Sequence, residues 1–115
     1  MSKTDVVGVG HVADVVVNAP LSFSICLRAE DGTPFVSAAL RVSVRIESEN
    51  GKRWFEAATG EEHRTESGRL AVQQRTPLPS DCYDVLYEVC ETGRYRMLVT
   101  VEGVAVEHPL PITAR

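Results

Sequence analysis

Cys82-Tyr83-Asp84-Val85-Leu86-Tyr87-Glu88-Val89 and, three residues later, Gly93-Arg94-Tyr95-Arg96-Met97-Leu98-Val99-Thr100-Val101 decide the fold class. Both runs alternate. Tyr83, Val85, Tyr87 and Val89 share one parity, and Tyr95, Met97, Val99 and Val101 share another. A period of two sends each set to one face of an extended strand. Thr92-Gly93 and Glu102-Gly103 supply turns, and Val104 to Ile112 supplies a third apolar segment. Three consecutive strands with one buried face form an antiparallel meander. Such a meander points to a β-sandwich rather than to an α/β core.

The same pattern extends upstream. Leu21, Phe23, Ile25 and Leu27 alternate with Ser22, Ser24, Cys26 and Arg28, which places Cys26 on the outward side of a second strand. Glu30-Asp31-Gly32-Thr33-Pro34 then turns the chain. Leu40, Val42, Val44 and Ile46 alternate with Arg41, Ser43, Arg45 and Glu47 in a third strand, closed by Asn50-Gly51, a pair that tolerates positive φ. A short fourth strand spans 69–75, and Pro77 and Pro79 prevent the next stretch from being a central strand. A valine-rich stretch, 6–17, interrupted by Gly8 and Gly10, reads as the first strand. Pro109 and Pro111 suit an edge or irregular end of the last strand.

The region 52–67 lacks periodicity and reads as a loop-like or weakly helical insertion, with Trp54-Phe55 as its apolar element. Seven strands with turns about every ten residues fit an all-β, seven-stranded antiparallel immunoglobulin-like sandwich. The first, second, fifth and fourth strands form one sheet, and the third, sixth and seventh form the other. The expected core is Phe23, Ile25, Leu27, Val42, Val44, Ile46, Tyr83, Val85, Tyr87, Tyr95, Met97, Val99 and Val101.

At 115 residues the chain is one domain, 1–115, large enough for one hydrophobic core. A net charge of −4 argues against general nucleic-acid binding, which requires a basic face. No apolar run approaches the roughly 20 residues needed to cross a bilayer. The start of the chain shows no apolar signal segment, so the expectation is a cytoplasmic protein. Cys26, Cys82 and Cys90 match no zinc spacing and read as three free thiols in a reducing compartment.

Glu91-Thr92-Gly93-Arg94-Tyr95-Arg96-Met97 has the layout of a tyrosine corner, with Met97 where antibody domains carry a disulfide cysteine. The whole C-terminal half resembles a filamin-type immunoglobulin repeat. The Tyr-x-Val-x-Tyr run is Tyr83-Asp84-Val85-Leu86-Tyr87, and Gly-x-Tyr-x-Val-x-Val is met by Gly93-Arg94-Tyr95-Arg96-Met97-Leu98-Val99. Gly103 through Ile112 follows as the last strand. Upstream, Gly8-Val9-Gly10, Pro20-Leu21-Ser22-Phe23-Ser24-Ile25 and Asp31-Gly32 fit as well, in an arrangement similar to the filamin repeats of tripartite-motif proteins. Cys82 in place of Gly-Thr and His108-Pro109-Leu110 in place of Ser-Pro-Phe are departures.

The resemblance implies a non-catalytic protein-interaction or scaffold module of a larger intracellular protein, without cofactor or metal. It further implies that a peptide adds as a strand along the third strand, over the groove beside the fourth. That surface comprises Arg41, Ser43, Arg45, Glu47, Ala71 and Gln73, and its arginines favour an acidic or phosphorylated peptide. Trp54 and Phe55 are adjacent, so they face opposite sides, and one of them is a candidate aromatic anchor. The alternative is a spacer or homodimerisation domain of a cytoskeletal or ubiquitin-ligase scaffold with no peptide ligand of its own.

Signals of catalysis are absent or out of context. Gly8-Val9-Gly10-His11-Val12-Ala13 matches a dinucleotide fingerprint, but the valines that follow favour a strand over the required helix. His11, His63 and His108 have no ligand spacing, and no motif supports pairing Cys90 with His108.

Overall fold

The computed structural model describes residues 3–7, 14–29, 31–36, 40–77, 80–105 and 110–115. Eleven strands are described, and no helix. They are β1 (Lys3–Val7), β2 (Asp14–Val15), β3 (Leu21–Arg28), β4 (Val42–Ser48), β5 (Trp54–Ala58), β6 (Glu61–Thr65), β7 (Gly68–Gln74), β8 (Cys82–Val89), β9 (Gly93–Val101), β10 (Val104–Ala105) and β11 (Leu110–Ala114). They form two sheets, ordered β1-β3-β8-β7-β6 and β2-β11-β9-β4-β5, with β10 paired to β9. The β2–β11 ladder is parallel.

The alternation in the sequence sets the inner layers. In the first sheet Phe23 lies opposite Val85 and Ile25 opposite Tyr83. In the second, Val44 lies opposite Val99 and Ile46 opposite Met97. All thirteen expected core residues are buried, joined by Val15, Phe55, Ala57, Leu70, Val72, Val89, Ile112 and Ala114. The β9–β10 turn places Glu102 (φ 52°) and Gly103 (φ 83°) both at positive φ, the twist that matches a tight hairpin.

The valine-rich first segment is divided between the sheets, β1 pairing with β3 and β2 with β11. The glycine-containing stretch between them, with His11, lies outside the described residues, as do His108 and Pro109. Pro111 sits in β11 where β2 no longer follows, since β2 pairs only with Thr113 and Ala114. Its missing N–H therefore breaks no ladder on that side.

Two expectations are corrected. The region 52–67 is not a loop or weak helix but contributes β5 and β6. β5 extends the second sheet beside β4, and β6 extends the first beside β7. Its periodicity is real but one-sided. Phe55 and Ala57 point into the core at 0% and 1% exposure, while β6 is an edge strand of mostly polar residues. The chain changes sheet at Thr59-Gly60. There the Thr59 N–H donates to the Val42 carbonyl (2.9 Å), and Gly60, at φ 82°, donates to the Val72 carbonyl (2.8 Å).

The three cysteines are not all free: Cys26 and Cys82 form a disulfide, leaving Cys90 as the free thiol. Cys26 does take the outward parity of β3, but the β3–β8 register sets it directly opposite Cys82, with Cα atoms 4.1 Å apart. Strand pairing, not sequence spacing, brings the sulfurs together.

Candidate docking surface

The outer face of the β11-β9-β4-β5 sheet carries the most organised group of exposed side chains. In β4, Val42, Val44 and Ile46 are buried, so Ser43, Arg45 and Glu47 project outward. Register carries a row across four strands: Trp54 opposite Glu47, Glu47 opposite Arg96, and Arg96 opposite Pro111. Glu47 links two arginines. Its Oε2 accepts from Arg45 Nε at 3.1 Å, and its Oε1 meets Arg96 Nε at 2.9 Å. Arg45 also lies 3.8 Å from Glu56, and its guanidinium carbon is 4.4 Å above the Trp54 ring. His63 also meets Trp54 in an edge-to-face arrangement, with ring centroids 6.5 Å apart.

Surface ion pairs stabilise a fold by about 0–1 kcal/mol each, and here Glu47 is partly covered. Their effect here is positional. They hold Arg45 over an indole that remains 47% exposed, a cation–π contact of about 0.5–1 kcal/mol at such a site. Trp54 is thus a rigid aromatic on a sheet edge, whereas Phe55 belongs to the core.

At one end of this face, the β4–β5 and β8–β9 turns enclose a cleft of about 630 Å³ lined by Glu49, Lys52, Arg53, Thr92 and Arg94. A second groove of about 520 Å³ shares Glu49 and Arg94 and continues over Arg96 and Pro111.

The expected peptide edge is not open. β4 has β9 on one side and β5 on the other, so no vacant ladder runs along 40–47. The outer side of β5 is closed by side chains: the Glu56 N–H donates to His63 Nδ1 (3.2 Å), and the Ala58 N–H donates to Glu61 Oε1 (2.9 Å). The predicted group of residues is divided accordingly. Ser43, Arg45, Glu47 and Trp54 share one face. Ala71 and Gln73 lie on β7 in the other sheet, between β6 and β8. Arg41 precedes β4 and pairs with Glu61 at 3.5 Å. Lys52, Arg94 and Arg96 were not among the expected residues. The outward parity of Arg94 and Arg96 was readable, but their nearness to the β4–β5 turn depends on β9 pairing with β4.

The tyrosine corner is present: the Tyr95 hydroxyl donates to the Glu91 carbonyl at 2.9 Å. A model of the filamin/ABP280 repeat matches residues 1–109. The chain belongs to the filamin/ABP280 repeat family. The Lin-41 filamin domain superposes with a TM-score of 0.67 at 14% identity, covering 100% of this chain and 95% of that one. Domains 4 and 5 of the S-layer protein SbsC superpose with a TM-score of 0.55, also at 14% identity, over 97% of this repeat and 50% of that chain. At these identities both share the fold alone. No curated protein is similar enough in sequence to match the repeat. A filamin repeat is a non-enzymatic interaction and scaffold fold. Among the described residues no helix is long and apolar enough to cross a membrane.

Proposed function

We propose that this filamin repeat docks an extended segment of a partner protein on the outer face of β9, β4 and β5, with Trp54 as the anchor and Arg45 as its fixed cationic neighbour. The carrying observation is the half-exposed indole held beneath the Arg45 guanidinium at 4.4 Å. Aromatic and arginine side chains dominate the binding energy of protein interfaces, and a side chain already fixed loses little entropy on binding. The unpaired cations at the end of the face favour a partner segment with acidic groups. Strand addition along β4 is a weaker reading, because it requires β5 to leave the sheet and Phe55 to leave the core. Self-association through β6 is disfavoured by Glu61, Glu62 and Arg64 on that edge strand, since charged edges resist pairing.

The test uses a photo-reactive residue placed at position 43, on the same outer face, or, as a control on the opposite sheet, at position 73. Cross-linking to one partner from position 43 and not from 73, lost in Trp54→Ala and when Arg45 is changed to Ala, is the expected result. Equal cross-linking from both positions, or from 73 alone, overturns this docking face.

A further inference from the structure

We infer that the cleft between the β4–β5 and β8–β9 turns binds the phosphate group of a phosphorylated segment in the partner protein. The inference rests on the docking reading above and adds the chemistry of its ligand. The chain as a whole carries a net charge of −4, yet Lys52, Arg53 and Arg94 line this one cleft. The charge of Arg53 is spent on Glu91 at 2.7 Å. Among the described residues, Lys52 and Arg94 have no such partner, and Glu49 is the only carboxylate lining the cleft.

The backbone beneath these cations is fixed. Asn50 Oδ1 accepts from the Ser48 hydroxyl (2.6 Å) and the Lys52 N–H (2.9 Å). Ser48 Oγ accepts from the Arg53 N–H (3.1 Å), and the Glu49 N–H donates to the Arg94 carbonyl (2.9 Å). The two turns are therefore tied to one another before any ligand arrives.

Arginine offers a planar fork to phosphate oxygens and lysine a compact charge, and the exposed Thr92 hydroxyl adds a donor. A phosphate monoester carries nearly two negative charges at neutral pH. With Arg53 paired to Glu91, two free cations against the one Glu49 carboxylate leave the cleft net positive, and a ligand of nearly two negative charges gains about twice what a carboxylate gains there. Arg94 lines both this cleft and the groove leading to Arg96, two strands from Trp54. With strands about 4.8 Å apart, that separation of about 10 Å is spanned by three or four extended residues. One segment can then reach the indole and the cleft together.

The test is a residue-resolved NMR titration of the whole chain with inorganic phosphate and with O-phosphoserine, against sodium chloride at matched ionic strength. The expected result is saturable shifts confined to the amides of 49–53 and 92–95. The Lys52→Gln/Arg94→Gln double variant weakens binding at least fivefold, and Glu49→Gln tightens it about threefold, the range that exposed charges supply. Trp54→Ala leaves this titration unchanged, so the cleft is read independently of the anchor. Shifts matched by sodium chloride, or a double variant that titrates like the wild type, overturn the inference. A chain that keeps cross-linking from position 43 while failing this titration sinks the cleft alone. One that titrates but does not cross-link from position 43 sinks the docking reading alone.

Discussion

The Tyr95 hydroxyl donates to the Glu91 carbonyl, 2.9 Å away and four residues upstream, and so ties the start of β9 to the turn that precedes it. The same turn carries Glu91 to Arg53 and shapes one wall of the cleft. Tyr95 is 4% exposed, so removing its hydroxyl leaves a carbonyl short of its donor in a partly buried place. Tyr95→Phe is expected to lose about 1 kcal/mol, seen as a fall of about 3–5 °C in Tm by calorimetry. An unchanged Tm would mean that the corner bond adds nothing to stability.

Tyr83 gives the opposite result. It is fully buried, and among the described residues its hydroxyl oxygen has no hydrogen-bond partner. A buried hydroxyl without a partner costs free energy that phenylalanine does not. Tyr83→Phe is expected to leave stability unchanged or raise it by up to about 1 kcal/mol in urea denaturation. A loss above about 1 kcal/mol would show that the hydroxyl is satisfied in solution.

Burial also governs the alkaline limit. It pushes the Tyr87 phenol up to about 12, from an ordinary value of 10.0. Between those two pH values the unfolded chain has released this proton and the folded chain retains it. The folded state then binds more protons, so stability falls as pH rises. The contribution is intact below pH 10 and lost by pH 12, an effect of about 2–3 kcal/mol from this residue. Stability measured by denaturant between pH 9 and 12 should show this decline, and Tyr87→Phe should flatten it.

The parts of the fold that were readable in advance follow from local alternation. Tyr83, Val85 and Tyr87 declare their face within one strand, and so do Leu21, Phe23 and Ile25. What remained hidden depended on which strands pair. Phe55 is a core residue inside a polar stretch, and its role emerges only when β5 lies beside β4. Cys26 and Cys82 are 56 residues apart in sequence and meet only through the β3–β8 register. The candidate site divides the same way. Arg45 and Glu47 were readable because outward parity is a local property, whereas for Trp54 and Phe55 the sequence showed only that they face opposite sides, and the β4–β5 pairing is what leaves Trp54 exposed. Grouping Arg45 and Glu47 with Ala71 and Gln73 assumed an open edge on β4, and β5 occupies it.

The disulfide closes a loop between residues 56 apart. By the chain-entropy model such a loop restricts the unfolded state by about 4 kcal/mol, with measured values typically about 2–4. A Cys26→Ser/Cys82→Ser variant, or reduction by dithiothreitol, is therefore expected to lower stability by about 2–4 kcal/mol. Thiol titration of the unfolded, unreduced chain should find Cys90 alone. Three reactive thiols in protein isolated from its native compartment would show the bridge to be absent there.

Phe55→Ala tests how firmly the β4 edge is closed. Phe55 is 0% exposed, lies opposite Ile46, and its ring packs so close to Gly68 that a methyl added there would sit 2.9 Å from Phe55 Cζ. Truncating a buried phenylalanine costs about 3–5 kcal/mol, a large share of the 5–15 kcal/mol that holds a domain of ordinary stability. The loss should be concentrated in β5, an edge strand whose outer side meets side chains of His63 and Glu61 rather than another strand's ladder. Amide exchange in β4 is expected to be slow in the wild type and to accelerate in Phe55→Ala more than exchange in β8. Rapid exchange along β4 in the wild type would instead mean that β5 leaves readily and that the β4 edge is available for strand addition.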